Sequence, residues 1–384
     1  MRVLHVSSYF APAFAYGGPP RTILGLCVAL QEAGVEIVVF TTTANGDKDL
    51  PASRDGGSTL HGVRVRYFPR TMPRRFFGVS GMRDALQREL ASFDLVHVHG
   101  IWNVPGWLAI DDCREQGVPY VVSPRGMLDP GSLRHHRVRK ALWYRFREKA
   151  NLRRAAFLHA TSSHEAASIR GLDLGSEIVI VPNGVEEPDF GEPSDFRVRW
   201  GLPENARLVT FLGRLHPTKR LDLLVAAFQR LQSGVPDSVL VLAGRPDGVD
   251  PRSFGLGREI RWLGELEEEE KWKLLSETAV LVMCSDSESF GMSVLEALSV
   301  GVPVVATRTC PWDEIEAHGC GFWVAQDPES LAEAMRRVLS DSLLARQMGA
   351  RGQALAAERY RWPAIGREMA RCYERTRTVG SSRW

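Results

Sequence analysis

The sequence predicts an α/β protein: two Rossmann-like domains in series, each on a parallel sheet, facing an inter-domain cleft. Three observations carry this. Short, continuous apolar runs rich in β-branched residues alternate with segments of helical spacing, as parallel strands covered on both faces require. The alternation breaks at Pro182-Asn183-Gly184 and through Pro188, Gly191 and Pro193, then starts afresh. At 384 residues the chain is also too long for one ordinary core, since domains run to roughly 100–200 residues.

In the first half, Val3–Val6 reads as a buried strand, followed by a Pro-, Gly- and aromatic-rich loop from Pro12 to Pro20. Arg21 to Ala33 has helical apolar spacing, and Gly34 supplies a left-handed cap. Val35–Thr41, Val63–Phe68, Leu95–His99, Tyr120–Ser123 and Glu177–Val181 read as further strands. Ser162 and Glu165 have the spacing of a capping box opening a helix to about Arg170. The aperiodic stretch near 186–205 is taken as the boundary, giving a first domain over 1–190 and a second over 191–357.

The second half repeats the pattern. Strands are expected at Leu208–Leu212, Val239–Ala243, Ile260–Leu263, Val280–Cys284 and Val302–Thr307. Helices are expected at Leu221–Leu231, Glu267–Ser276 and Ser293–Val300, and only helical patterns remain beyond Pro328, the last over Trp362–Arg375.

Composition excludes several classes. A net charge of +2 gives no electrostatic reason to expect nucleic acid as a partner. Six scattered cysteines form no C-x-x-C pair, which argues against a structural metal or a disulfide framework and for a reducing cytosol. The first apolar run stops at Ser7 and reads as a strand, and no tract approaches the roughly 18 apolar residues of a membrane span. A cytoplasmic protein is expected, with attachment to a membrane surface left open.

Two tracts carry chemistry. In Glu288-Ser-Phe290-Gly291-Met292-Ser293-Val294-Leu-Glu296, one glutamate falls in the loop after a strand and the other inside the next helix. Gly291 at the junction permits close backbone approach, and the amides of Met292, Ser293 and Val294 at a helix start favour an anion. In Gly213-Arg214-Leu-His-Pro-Thr-Lys219, a guanidinium and an ammonium follow another strand. Both suit phosphate, the first as a fork of donors and the second as a point charge. Taken singly, paired glutamates on a surface helix or a solvated lysine would be as ordinary.

Together, Arg214 and Lys219 followed some 70 residues later by Glu288-x7-Glu296 resemble the family 4 (group 1) retaining glycosyltransferases, which have the two-domain GT-B fold. Agreement extends to Ala15-Tyr16-Gly17-Gly18-Pro19, His97-Val-His99-Gly100, Pro182-Asn-Gly-Val185 and Gly319-Cys-Gly321. The tracts Ser123-Pro-Arg125-Gly-Met-Leu128, His159-Ala-Thr-Ser162 and Cys310-Pro-Trp-Asp-Glu314 look like a branch that assembles surface or exported polysaccharide.

The resemblance implies a nucleotide-diphosphate sugar donor and a saccharide or lipid-linked acceptor. Arg214 and Lys219 would neutralise the donor diphosphate, Glu296 would accept the ribose hydroxyls, and Glu288 would contact the transferred sugar. The backbone of Phe290 to Val294 would hold sugar and phosphates, and Gly17 and Gly18 would reach the diphosphate from the first domain. His99, with Gly100, Asn103 and Arg125, would line the acceptor side. The terminal helix, about 358–384, would cross back onto the first domain. No cofactor is implied. Asp47-Lys48-Asp49 is the one nearby match to a metal-binding Asp-x-Asp pair and does not end a strong strand, so no metal is expected.

His97 and His99 alternate and share a face of their strand; His97 reads as structural and His99 as functional. The basic, aromatic stretch from Arg134 through Lys140 to Arg154 suits either an anionic lipid surface or a solvated helix with its aromatics in the core. Competing activities are a sugar-nucleotide epimerase or hydrolase on the same fold, and a non-catalytic nucleotide-binding partner protein. A nicotinamide dehydrogenase is disfavoured, because no G-x-G-x-x-G follows the first strand.

Overall fold

The structure, a computed structural model, describes residues 1–53, 57–131, 144–186 and 195–379. The basic run from Arg134 to Lys140 and the aperiodic segment through Pro188, Gly191 and Pro193 lie outside the described residues. The chain divides into two units. Unit 1 is Met1–Gly184 together with the chain from Trp362 on, and unit 2 is Val185–Arg361.

The sheet of unit 1 comprises β1 (Arg2–Ser7), β2 (Glu36–Thr42), β3 (Ser58–Leu60), β4 (Val63–Phe68), β5 (Leu95–His99), β6 (Tyr120–Ser123), β7 (Leu158–Ala160) and β8 (Ile178–Ile180). Its order is β8-β7-β6-β5-β1-β2-β4-β3. Every pairing is parallel except that of β3 with β4. Both faces are covered, which is why the strands read as unbroken apolar runs. Leu4, Val6, Val96 and Val98 pack beneath the helices Met82–Glu89 and Val104–Gln116, while Val3, Ile37, Leu95 and Val121 pack beneath Pro19–Glu32 and the terminal helix Trp362–Val379.

The terminal helix therefore belongs to the first unit although it is last in sequence. Its Trp362 indole fits between two backbones: a Cβ at Gly25 or at Gly184 would each lie 2.4 Å from a ring atom. Any side chain at either position would have to displace the indole.

The sheet of unit 2 comprises β9 (Arg207–Leu212), β10 (Ser238–Ala243), β11 (Ile260–Gly264), β12 (Thr278–Met283), β13 (Val304–Thr307) and β14 (Gly321–Val324). All pairings are parallel, in the order β11-β10-β9-β12-β13-β14. Helices Leu221–Gln232 and Pro328–Ser340 cover Val209, Phe211, Leu240 and Val282; Met292–Ser299 and Ser342–Arg359 contribute to the opposite layer.

Among the elements above, periodicity missed the helices Met82–Glu89 and Val104–Gln116 and the strands β3, β7 and β14. These strands are three or four residues long and, unlike the equally short β6 and β8, lack adjacent β-branched residues. The capping box at Ser162 forms only by half. Ser162 Oγ accepts from the Glu165 amide at 3.1 Å, but the Glu165 carboxylate turns inward to accept from the Thr161 amide and hydroxyl and from the Gly126 amide.

Candidate functional site

In a doubly wound sheet, ligands sit at the carboxyl ends of strands where the strand order reverses. In unit 2 that point lies between β9 and β12, because β10 continues from β9 on one side and β13 from β12 on the other. The loops after these two strands carry the expected residues. Lys219 closes a short turn, Pro217–Lys219, before the helix Leu221–Gln232, and its ammonium pairs with the Glu288 carboxylate across the switch point. Ser285 Oγ donates to the same carboxylate at 3.2 Å. The Asp286 amide donates to the Thr218 carbonyl at 2.8 Å, and Arg220 spans Asp222 and Asp286, so the two loops are tied together beneath the pair.

Gly291 occupies the left-handed region at φ +86°, and a Cβ there would meet Trp312 Nε1 at 2.9 Å. That indole nitrogen donates to the Phe290 carbonyl and fixes the turn from which the helix Met292–Ser299 starts. The amides of Met292 and Ser293 have no partner among the described residues, but the Val294 amide donates to the Gly291 carbonyl at 3.0 Å. The helix start thus offers two free amides where the sequence suggested three.

The remaining expected groups on this unit have partners the sequence did not suggest. Arg214 pairs with Asp247 at 2.5 Å, both side chains being well exposed. Glu296 pairs with the nearly buried Lys271 at 2.9 Å, and Lys271 also holds Glu268. Burial alone would lower the Lys271 pKa, but the Glu296 and Glu268 carboxylates outweigh it and raise it. Lys219 and Glu288 therefore come together directly, whereas Arg214 and Glu296 each meet a separate partner.

The corresponding reversal in unit 1 lies between β1 and β5. Here His5, His97 and His99 stand on one face of the sheet; His5 Nδ1 lies 2.9 Å from His99 Nε2, and His5 and His97 each reach the Tyr373 hydroxyl of the terminal helix. Burial first, and the Arg125 charge after it, hold His5 and His159 down at about 3. Burial likewise drives His97 and His99 well below the usual imidazole range, with the other histidines and Arg125 adding to it. All four rings are therefore neutral at physiological pH. The guanidinium of Arg125 reaches His99 Nδ1 (3.2 Å), Asn183 Oδ1 (3.1 Å) and Thr22 Oγ1 (3.3 Å). Its Nε–H is shielded from solvent without a hydrogen-bond partner, and it forms no ion pair among the described residues.

Gly17 has a left-handed φ of +82° and Gly18 caps the helix Pro19–Glu32. Gly100 follows β5, its amide donating to the Ser123 carbonyl at 2.8 Å. Asn103 caps the helix Val104–Gln116 by accepting from the Gly106 amide at 2.7 Å. Asp47 precedes and Asp49 ends a two-residue strand, Lys48–Asp49, where Asp49 pairs with Arg70 and Arg74. His5, Lys271 and Asp247 escaped the sequence reading. His5 lies in the first strand, and its neighbours become visible only once β1 is known to pair with β5.

Comparisons with known proteins agree with this architecture. The family described as "Glycosyl transferases group 1" matches residues 194–355, and that described as "Glycosyl transferase 4-like domain" matches residues 17–184. A D-inositol 3-phosphate glycosyltransferase of Jonesia denitrificans is 27% identical over 420 residues, covering 99% of this chain and 96% of the relative. A phosphatidyl-myo-inositol mannosyltransferase of Mycobacterium leprae is 32% identical over 216 residues, covering 54% of this chain and 56% of the relative. Among solved structures, sucrose-phosphate synthase from Thermosynechococcus elongatus superposes with a TM-score of 0.75 at 21% identity, covering 99% of this chain and all of that one. HepE from Anabaena, in complex with UDP and glucose, gives 0.71 at 19%, covering 98% and 100%. These structural likenesses are of fold, which is GT-B. With one family model on each unit and a relative matched over nearly its whole length, the chain belongs to the group 1 (family 4) glycosyltransferases.

Proposed function

We propose that the chain transfers a sugar from a nucleotide-diphosphate sugar to a saccharide or lipid-linked acceptor, with retention of configuration and without a metal, in the assembly of surface polysaccharide or another glycoconjugate. What supports this above all is the Lys219–Glu288 pair at the switch point of unit 2, beside the free amides of Met292 and Ser293. As the glycosidic bond breaks, negative charge grows on the diphosphate and positive charge on the anomeric carbon. Lys219, Arg214 and the helix amides would stabilise the first, and the Glu288 carboxylate would contact the sugar, as the family resemblance implies. Groups fixed in advance lower a barrier because their stabilisation grows with the developing charge. A diphosphate would take Lys219 and Arg214 over from their carboxylate partners, while Lys271 would hold the Glu296 carboxylate in place for the ribose hydroxyls.

The neighbours named as complexes with UDP and UDP-glucose support a nucleotide-sugar donor. Thermal-shift measurements with UDP, GDP, ADP and their sugars would identify it, since a ligand at 100 times its Kd stabilises by about 2.7 kcal/mol. The product's anomeric configuration, read by NMR with a chelator present, would test retention and metal independence together. Free sugar or epimer formed without acceptor would point instead to hydrolysis or epimerisation. Unchanged turnover in Glu288→Gln would defeat the site.

For the acceptor, two observations favour an anionic molecule such as an inositol phosphate: among the described residues Arg125 keeps an unbonded Nε–H and makes no ion pair, and the relatives are named as a D-inositol 3-phosphate glycosyltransferase and a phosphatidyl-myo-inositol mannosyltransferase. Comparing transfer to myo-inositol phosphate with transfer to myo-inositol would decide it. Peripheral contact at the inner face of the cytoplasmic membrane belongs to the same proposal; among the described residues no helix is long and apolar enough to cross a membrane.

A further inference from the structure

Three of the unit 1 histidines, His5, His97 and His99, lie close enough together to suggest a metal site. Their hydrogen bonds lead elsewhere. Arginine only donates, so Arg125 Nη2–H donates to His99 Nδ1 (3.2 Å), which must carry a lone pair. The proton of His99 is then on Nε2 and is donated to His5 Nδ1 at 2.9 Å. The proton of His5 is in turn on Nε2, which faces the Tyr373 hydroxyl oxygen at 3.4 Å.

The direction can be fixed independently from the other end. A carbonyl only accepts, so His159 Nε2–H donates to the Val181 carbonyl at 2.8 Å, leaving a lone pair on His159 Nδ1. Ser123 Oγ–H donates to that lone pair at 2.6 Å. The Ser123 oxygen is thereby free to accept from His97 Nε2–H, also at 2.6 Å. His97 Nδ1 must accept, and its donor is the Tyr373 hydroxyl at 2.5 Å. Burial keeps that phenol protonated. The two hydrogen-bond chains have no bond in common, yet they meet at Tyr373 with the same direction, and all four rings are Nε2–H tautomers.

Such a chain has a physical consequence. Each dipole turns its acceptor end toward Arg125, so the guanidinium is solvated by aligned neutral groups that polarise one another. No carboxylate among the described residues bonds it directly; Glu165 acts on it only through space, and the guanidinium keeps its charge. A divalent ion among the rings would need the lone pairs already committed and would sit beside that cation. His99 has both nitrogens engaged and so acts on a ligand through Arg125 rather than as a base.

We propose that Tyr373, on the terminal helix, is a positioning residue whose hydroxyl joins these two hydrogen-bond chains into one relay that holds the Arg125 charge ready for an anionic group of the acceptor. This rests on the acceptor side lying in unit 1. Long-range proton–nitrogen NMR on the full chain labelled with 15N reads the tautomers directly. The expected result is Nε2–H at His5, His97, His99 and His159, and an Nδ1–H tautomer at His97 or His99 overturns the relay. Inorganic phosphate, titrated against the Arg125 Nε–H resonance, is expected to bind Tyr373→Phe about two- to tenfold more weakly than the wild type, the worth of one hydrogen bond. UDP should stabilise both proteins equally. Equal phosphate affinity in a Tyr373→Phe protein that melts like the wild type overturns the proposal. Should that variant not fold, Ser123→Ala breaks the same relay on a strand and must shift phosphate affinity in the same direction. Phosphate that never perturbs Arg125 Nε–H in the wild type defeats the acceptor assignment underneath, an outcome the tautomers alone would not reveal.

Discussion

The two switch points occupy equivalent places in two similar sheets, and they handle charge in opposite ways. In unit 1, one cation is surrounded by neutral, directional dipoles: His5, His97, His99 and His159 are 0–3% exposed. In unit 2, every cation at the site rests on a carboxylate, as Lys219 does on Glu288 and Arg214 on Asp247. The first arrangement keeps a charge without a direct ion-pair partner at the cost of desolvating many polar groups, each of which must find a partner. The second keeps charges in displaceable pairs that a diphosphate can take over. A lasting positive site and an exchangeable one are thus built on the same topology.

Acid should separate them most strongly. In the unfolded chain histidine titrates near 6.5, whereas burial and the Arg125 charge hold folded His5 and His159 at about 3. Below pH 6.5 the unfolded state therefore binds protons that the folded state refuses. The stability these rings contribute is present above 6.5 and is lost as pH falls toward 3, at about 1.4 kcal/mol per pH unit for each ring. Among the described residues Cys27, Tyr373, Glu165, Tyr9 and Cys372 also face this cluster. The Cys27 thiol and Tyr373 phenol stay protonated throughout. In unit 2 the depressed carboxylate of Asp222, held down by its bond to Arg220, begins to be lost only in the carboxylate range. Hydrogen exchange between pH 7 and 5 should show unit 1 opening first, and equal loss in both units would break the contrast.

Next in size is the exchangeable site itself. Lys219→Ala should lower kcat/KM about tenfold to two-hundredfold, since a hydrogen bond to a charged group contributes about 1.5–3 kcal/mol. It should also abolish most of the stabilisation by nucleotide while leaving phosphate at Arg125 untouched. A loss of phosphate binding at Arg125 would mean the two sites are coupled.

How much of this the sequence showed follows the same division. Unit 2's chemistry lies in two contiguous tracts, so Arg214, Lys219, Glu288 and Glu296 could be named from spacing alone. Their resting partners Asp247 and Lys271 could not, because they come from other loops and elements. Unit 1's relay draws on β1, β5, β6, β7 and the terminal helix; Tyr373 lies 276 residues from the His97 it bonds. Only the alternation of His97 and His99 marked one face, and pairing in register did the rest. The strands were legible where covering both faces leaves adjacent β-branched residues, as in the short β6 and β8, and β7 and β14 were not because Leu158-His-Ala and Gly321-Phe-Trp-Val carry no such pair.

Packing of the terminal helix offers a milder test of what holds the relay. Gly25→Ala places a methyl group into the Trp362 indole and should cost about 1–3 kcal/mol. The shift in denaturant midpoint should appear in unit 1 alone, with the unit 2 transition unmoved. Phosphate binding at Arg125 should weaken with it, because Tyr373 and Trp362 share one helix.

The smallest effect asks whether Asp247 restrains Arg214 or aims it. The pair is well exposed, 44% and 36% for the two side chains, so its own contribution is about 0–1 kcal/mol. If the carboxylate merely occupies the guanidinium until a diphosphate arrives, Asp247→Asn should tighten nucleotide binding by up to about fivefold, with the gain shrinking as salt screens both interactions. If the carboxylate instead holds the guanidinium in the geometry the diphosphate needs, the same substitution should weaken binding. Titration calorimetry with the nucleotide that stabilises most, at low and physiological salt, gives the sign. Weakening would show that unit 2 also preorganises its cations, and the contrast with Arg125 would then reduce to the presence or absence of a carboxylate.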